Sequence, residues 1–88
     1  MKSKLISSLC NSTRLKLIVC LSKNEKNVTE LIKNCGLSQS AVSQHLEKLK
    51  DARIVSCKKN GKEMIYKLTS KKSAKIAHDL LKFEREVK

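Results

Sequence analysis

Four uncharged polar side chains crowd one end of a predicted helix, and their types suit hydrogen bonding to base edges. In the stretch GLSQSAVSQHLEKLK they are Gln39, Ser40, Ser43 and Gln44. Glutamine pairs bidentately with adenine and serine donates or accepts, whereas lysine would bind any sequence alike through phosphates. These four residues are therefore candidates for base readout, with a solvated helix face as the alternative. For the preceding Ser38, helix capping is the better interpretation.

The other chemically versatile residues are four thiols, Cys10, Cys20, Cys35 and Cys57. Their spacing contains no C-x-x-C, so neither a zinc pattern nor a redox motif is predicted. A thiol enzyme would need a base and an orienting group near a reactive cysteine, and the sequence indicates no such set of Cys, His and acid. We therefore expect a protein that is not an enzyme and needs no cofactor.

The charge balance favours a polyanionic partner. Lys and Arg number 20 against 8 Asp and Glu, which gives a net charge of +12. One Phe, one Tyr and no Trp can hardly build the stacking platforms typical of RNA and single-strand binders, so double-stranded DNA is the expected partner. No apolar run approaches the ~20 residues that span a bilayer, and the opening MKSKLISSLC is too interrupted for a signal core. A cytoplasmic protein with reduced thiols and no membrane partner is expected.

Hydrophobic spacing and capping residues predict a single, mostly α domain with a small β-hairpin. Gly36 stands where a left-handed helix cap belongs, and Asn60-Gly61 predicts a type I′ hairpin turn with positive φ at both positions. Lys23 to Asn27 is expected to be a polar connection. The predicted parts are two helices at 4–22, a helix-turn-helix at 28–52, a two-stranded wing at 54–68 and a last helix at 70–87.

This order of elements predicts a winged helix-turn-helix. The second helix of such a motif lies in the major groove and its first residues meet the bases, which is where the four polar residues fall. Lys58, Lys59 and Lys62 flank the wing tip and are expected to touch phosphate or the minor groove. A solvated lysine run is the plainer alternative for them.

The first and last helices carry more apolar surface than a small core can cover. Such patches usually mark interfaces, so we expect a homodimer. The residues concerned are Leu5, Ile6 and Leu9 in the first helix and Ile76, Leu80 and Phe83 in the last.

Three segments resemble the ArsR/SmtB (arsenic-repressor) family of winged-helix regulators: LCNSTRLKLI, NVTELIKNCGLSQSAVSQHLEKLKDARIV and KKNGKEMIYKL. The resemblance covers about residues 5 to 70. It implies a homodimer built from the first and last helices, a palindromic operator and repression relieved by an inducer. It also implies that the positions of Gln39, Ser40, Ser43 and Gln44 face the major groove.

The resemblance does not carry over the family's metal sites. Its Cys-x-Cys pair falls at Ile32 and Asn34, and its site on the last helix finds only His78 and Glu84, at no matching spacing. No metal is therefore predicted. His45 is interpreted as a helix residue packed near the turn.

The paired cysteines of the family's sulfur- and redox-sensing branch are also missing. Their positions fall at Val19 and near Arg85. Cys10 and Cys20 remain the candidate sensing thiols, although a bond between them is not expected because they lie on the order of 13 Å apart along the helix. The hypothesis is either no built-in redox switch or a single reactive thiol, with Cys35 and Cys57 as buried, inert thiols.

Two functions from the DNA-binding class stay open at this point. A sequence-specific repressor is favoured, and a nonspecific or architectural DNA-binding module is the alternative, because the charge could act without base readout. The sequence does not identify the inducer, the operator or the regulated genes.

Overall fold

A computed structural model of the chain describes residues 4–9 and 11–87. The predicted order of helices and hairpin is present, with helix ends that differ from the prediction by a single residue. Cys10, which falls within the predicted pair of helices at 4–22, lies outside the described residues. The elements are α1 Lys4–Leu9, α2 Ser12–Lys23, β1 Lys26–Asn27, α3 Val28–Cys35, α4 Gln39–Asp51, β2 Val55–Asn60, β3 Glu63–Leu68 and α5 Lys71–Glu86.

Polar side chains cap the starts of four helices, because the first N–H groups of a helix have no partner inside it. Asn11 accepts from the amide of Arg14, Ser38 from that of Ala41, and Ser70 from that of Lys72. Asn27 and Glu30 form a reciprocal capping box at the start of α3. These local signals are why the helix starts could be predicted.

The strands form an antiparallel sheet in the order β1-β3-β2. The expectation that residues 23–27 are only a polar connection is wrong, because Lys26 pairs with Tyr66 and Asn27 with Ile65. The wing therefore belongs to a three-stranded sheet. Asn27 also donates from Nδ2 to Oε1 of Glu63 over 3.2 Å. A two-residue strand has no periodicity of its own, and its pairing partner is far away in the sequence.

The wing turn differs from the predicted type I′ turn. Asn60 ends β2 and pairs with Glu63, so Gly61 and Lys62 form the two-residue loop. Gly61 has φ +65°, and neither Asn60 nor Lys62 has positive φ. A single positive φ, at a glycine in the first loop position, is typical of a type II′ turn. The hairpin was predicted correctly, but its turn begins one residue later.

The core lies beneath α4 and the base of the wing. Buried aliphatic residues from α2, α3, α4 and β2 meet there: Leu17, Ile18, Leu31, Val42, Leu46, Leu49 and Val55. Ala77 closes the core from α5. The hydroxyl of Thr69 donates to the carbonyls of Arg53 and Ile54 over 2.7 and 3.1 Å, which ties the residue after β3 to the two residues that precede β2. Among the described residues, no helix has both the length and the apolar character to cross a membrane.

Candidate nucleic-acid interface

Helix α4 has one fully buried face and one exposed polar face. Val42, Leu46 and Leu49 have no exposed surface, and their i, i+4, i+7 spacing fixes how the helix is rotated on the core. The polar face is therefore held outward. All four residues predicted to read bases are exposed in its first half: Gln39, Ser40, Ser43 and Gln44.

The turn that precedes α4 has the geometry that the sequence predicted. Gly36 adopts φ 65° and ψ 28°, and its amide donates to the carbonyl of Ile32. This left-handed residue ends α3 and reverses the chain. Ser38 then caps α4, and its Oγ lies 3.5 Å from Oγ of Ser40. The two helices and the turn between them form a helix-turn-helix.

Two polar contacts hold α4 against α1 and α2, and a third joins α2 to α1. Arg14 donates from Nε to Nδ1 of His45 over 3.3 Å and from a second guanidinium nitrogen to the carbonyl of Ser7 over 3.3 Å. The buried Ser8 hydroxyl donates to the carbonyl of Lys48 over 3.4 Å. Sequence reasoning missed Arg14 and Ser8 as positioning residues, because their partners are far away along the chain.

His45 is half-buried beside Arg14 of α2, and its surroundings favour the neutral ring. Partial burial lowers the pKa of His45 below its usual value of 6.5, and the charges of Arg14 and Lys48 lower it further. At neutral pH the unprotonated Nδ1 can therefore accept the Arg14 hydrogen bond.

The strand register distributes the wing lysines over two faces and the tip. Lys58 is opposite Ile65, and Lys59 is opposite Met64. Because side chains alternate along a strand, Lys58 and Lys59 point to opposite faces, while Lys62 lies in the turn. All three are exposed. Lys67, which the sequence prediction did not include, is exposed on the same face of the sheet as Lys58.

Tyr66 connects the inner face of the wing to the core. It packs against the core cluster and lies directly opposite Cys57. Burial raises the pKa of Tyr66, and Cys57 and Glu47 raise it further. The wing is thus packed beside α4, and Cys57, which was expected to be buried, is only half-buried next to Tyr66.

The remaining described cysteines form an unpredicted pair. Sγ of Cys20 lies 3.2 Å from Sγ of Cys35, which was expected to be an inert core residue. Cys35 does pack against the core, but it is only half-buried. Cys10, the other candidate sensing thiol, lies outside the described residues. Within residues 4–9 and 11–87, no three His, Cys, Asp or Glu side chains are grouped as a metal site.

Apolar side chains are exposed on α1 and α5. Ile6 is 64% exposed and Phe83 is 61% exposed, and Ile76 and Leu80 are each more than 40% exposed. A cleft of about 320 Å³ beside Leu80 and Phe83 is also lined by Leu9 and Leu15. The side chain of Leu5 lies outside what the structure describes.

An exposed polar recognition helix, a helix-turn-helix and an adjacent basic hairpin define a winged-helix transcriptional regulator. Residues 11–56 match the family model described as bacterial regulatory protein, arsR family. The chain belongs to the arsR family of bacterial regulatory proteins.

Individual relatives agree with this assignment. The chain is 33% identical over 78 residues to the biofilm growth-associated repressor of Xylella fastidiosa, covering 89% of this chain and 68% of that protein. It is 38% identical over 66 residues to the transcriptional activator HlyU of Vibrio cholerae, covering 75% of this chain and 61% of that protein.

Solved structures of two bacterial regulators share the fold. The structure of the transcriptional repressor BigR from Xylella fastidiosa matches with a TM-score of 0.80 at 32% identity, covering 91% of this chain and 82% of that one. The structure of HlyU from Vibrio cholerae matches with a TM-score of 0.78 at 32% identity, covering 91% and 87%. The predicted fold and family are confirmed.

Proposed function

We propose that this regulator is a repressor that binds a palindromic operator in double-stranded DNA as a homodimer. The observation that carries the proposal is the division of α4. Its apolar residues are fully buried, while an exposed group of neutral hydrogen-bonding side chains occupies its first half. That is the part of a recognition helix that contacts base edges.

The DNA contacts divide into two chemical sets. Gln39, Ser40, Ser43 and Gln44 contact base edges and set sequence choice. A second set of exposed cations contacts phosphates or the minor groove and supplies affinity that depends on salt. It consists of Lys58, Lys59 and Lys62, to which the register of the sheet adds Lys67.

A homodimer accounts for the exposed apolar residues of α1 and α5. A two-fold axis through this surface would bury Ile6 of α1 and Leu80 and Phe83 of α5 in the interface between the two subunits. A symmetric dimer presents two recognition helices, and a palindromic operator repeats their half-site with the same symmetry. Repression is the proposed outcome because the relative from Xylella fastidiosa is named a repressor. The proposed location is the cytoplasm, where the chromosome of a bacterium lies.

The competing function is a nonspecific DNA-binding module, for which the net charge of +12 would suffice. The neutral character of the exposed α4 face favours the specific regulator, since a module that binds only the backbone has no use for it.

Selection of binding sites from a random duplex library, followed by footprinting, separates the two functions. We expect an enriched inverted repeat whose half-sites lie about one helical turn apart. Recovery of unrelated sequences with equal affinity would contradict the proposal and support the nonspecific module. A monomer at tens of micromolar in light scattering would contradict the homodimer.

A further inference from the structure

The two neighbouring thiols lie on different helices. Cys20 is near the end of α2 and Cys35 is the last residue of α3, 15 positions further along the chain. Their sulfur atoms are 3.2 Å apart. A disulfide bond is about 2.05 Å long, so the sulfurs need to approach by only about 1.2 Å. Side-chain rotation can supply most of that movement, since the two helices already pack together.

Solvent reaches this pair through a cleft. The cleft has a volume of about 840 Å³ and lies between α2, the end of α3 and the second half of α5. Cys20, Cys35 and Lys16 all line it. Both thiols are half-buried rather than enclosed. A small polar oxidant can therefore reach the sulfur atoms, which distinguishes them from cysteines sealed in a core.

We propose that Cys20 and Cys35 form a dithiol site that a hydroperoxide converts into an intrachain disulfide between α2 and α3. The site does not depend on the proposed operator or on the dimer, because both sulfurs belong to one chain. It also differs from the expectation of a single reactive thiol, since the second sulfur is already in place.

The reaction begins at Cys20. Burial and the neighbouring Cys20 raise the pKa of the Cys35 thiol to about 12, although the charge of Lys16 opposes the rise. Cys35 thus keeps its proton at neutral pH, and the thiolate is the reactive form of a cysteine. The Cys20 thiolate attacks one peroxide oxygen, the O–O bond breaks, and the departing oxygen takes a proton to leave as water or an alcohol.

The second step closes the disulfide. Cys20 is now a sulfenic acid, which condenses readily with a thiol. The Cys35 sulfur attacks the Cys20 sulfur, the S–O bond breaks, and the hydroxide leaves as water with the Cys35 proton. In total, two thiols and one hydroperoxide give one disulfide, one water and one further water or alcohol. The thiols lose two electrons and the peroxide gains them.

The bond would fasten the end of α3 at the point where the helix-turn-helix turns. Cys35 precedes Gly36, the left-handed residue that ends α3. The bond closes a loop of 15 residues, and such a loop restricts the unfolded chain. We expect oxidation to raise the Tm by at least about 5 °C.

The test treats the full chain with hydrogen peroxide and maps its peptides without reduction. The expected result is a Cys20–Cys35 link, a mass loss of two hydrogens that dithiothreitol reverses, and no dependence on protein concentration. Cys57→Ser is the matched control and should still form the link. Cys35→Ser should trap a sulfenic acid at Cys20 that dimedone labels, and Cys20→Ser should leave Cys35 unlabelled.

Circular dichroism of each variant verifies folding, with Cys20→Ala and Cys35→Ala as replacements for any serine variant that unfolds. A link from Cys20 to Cys10, a link between chains, or peroxide treatment that leaves both thiols free would each overturn the proposal.

Discussion

The first half of α4 and the tip of the wing are both exposed. They differ in the chemistry of their side chains and in how firmly the core holds the backbone that carries them. The α4 face carries short or planar neutral groups on a helix whose opposite side is fully buried. The wing carries lysines on a two-stranded extension, on two faces and a turn. A firmly held neutral group can distinguish bases, whereas a flexible cation follows phosphate wherever it lies. The comparison predicts that one region determines which DNA is bound and the other how tightly.

The largest expected effect comes from Leu80→Asp, which tests whether the protein is a dimer that presents each of the two regions twice. The variant places a charge in the proposed α1–α5 interface twice per dimer. Each buried polar group without a partner costs roughly 1–3 kcal/mol, so dimerisation should weaken by about 2–6 kcal/mol. Sedimentation equilibrium measures this directly, and Lys82→Gln, at an exposed position on the same helix, is the control that changes the net charge by the same one unit. A dimer that stays intact in Leu80→Asp would place the interface elsewhere.

Leu46→Ala tests the claim that the core holds α4. Leu46 has no exposed surface, and removing such a side chain typically lowers the free energy of unfolding by 2–5 kcal/mol. Urea denaturation gives the value. Met64→Ala, at an exposed position on the wing, should cost about 0.5 kcal/mol or less. Equal losses in the two variants would mean that α4 is no better supported than the wing.

Lys58→Ala sharpens the wing side of the comparison. Removing one phosphate contact should reduce the slope of log affinity against log salt by about 1 and weaken all duplexes alike. Fluorescence anisotropy over a salt series measures the slope. Lys67→Ala, on the same face of the sheet, should behave in the same way. An unchanged slope in both variants would leave these lysines as solvated charges.

The smallest effect concerns the contact that links α4 to α2. The pKa of His45 is lowered in the folded chain, first by burial and then by Arg14 and Lys48. The unfolded chain therefore binds the proton more readily, so this contribution to stability is complete above about pH 6.5 and is lost as the pH falls towards the lower folded pKa. Urea denaturation at several pH values between 5 and 7 gives the free energy of unfolding as a function of pH. The slope of that dependence should be smaller for His45→Gln and for Arg14→Gln. A slope unchanged in both variants would contradict the role given to His45.

Features coded by neighbouring residues could be predicted, and features made by distant residues could not. The cap at Ser38 lies within three residues of its partner, and the α4 stripe repeats along one helix. The Arg14–His45 contact joins residues 31 positions apart, and β1 forms only by pairing with β3.

The same distinction holds for the thiols. The spacing of Cys20 and Cys35 matches no motif, so their contact required the packing of α2 against α3. The wing turn shows a finer limit, because Asn60-Gly61 indicated the hairpin while the strand pairing shifted the loop by one residue.

The central claim is that α4 sets sequence choice while the wing sets affinity, and Gln44→Ala tests it most directly against Lys59→Ala. The affinity of each variant for the selected operator and for a random duplex of equal length is measured by fluorescence anisotropy at one salt concentration. We expect Gln44→Ala to weaken operator binding by about 1–3 kcal/mol and to leave binding of the random duplex nearly unchanged, while Lys59→Ala weakens binding of both duplexes alike. Equal weakening of the two duplexes by Gln44→Ala would contradict it.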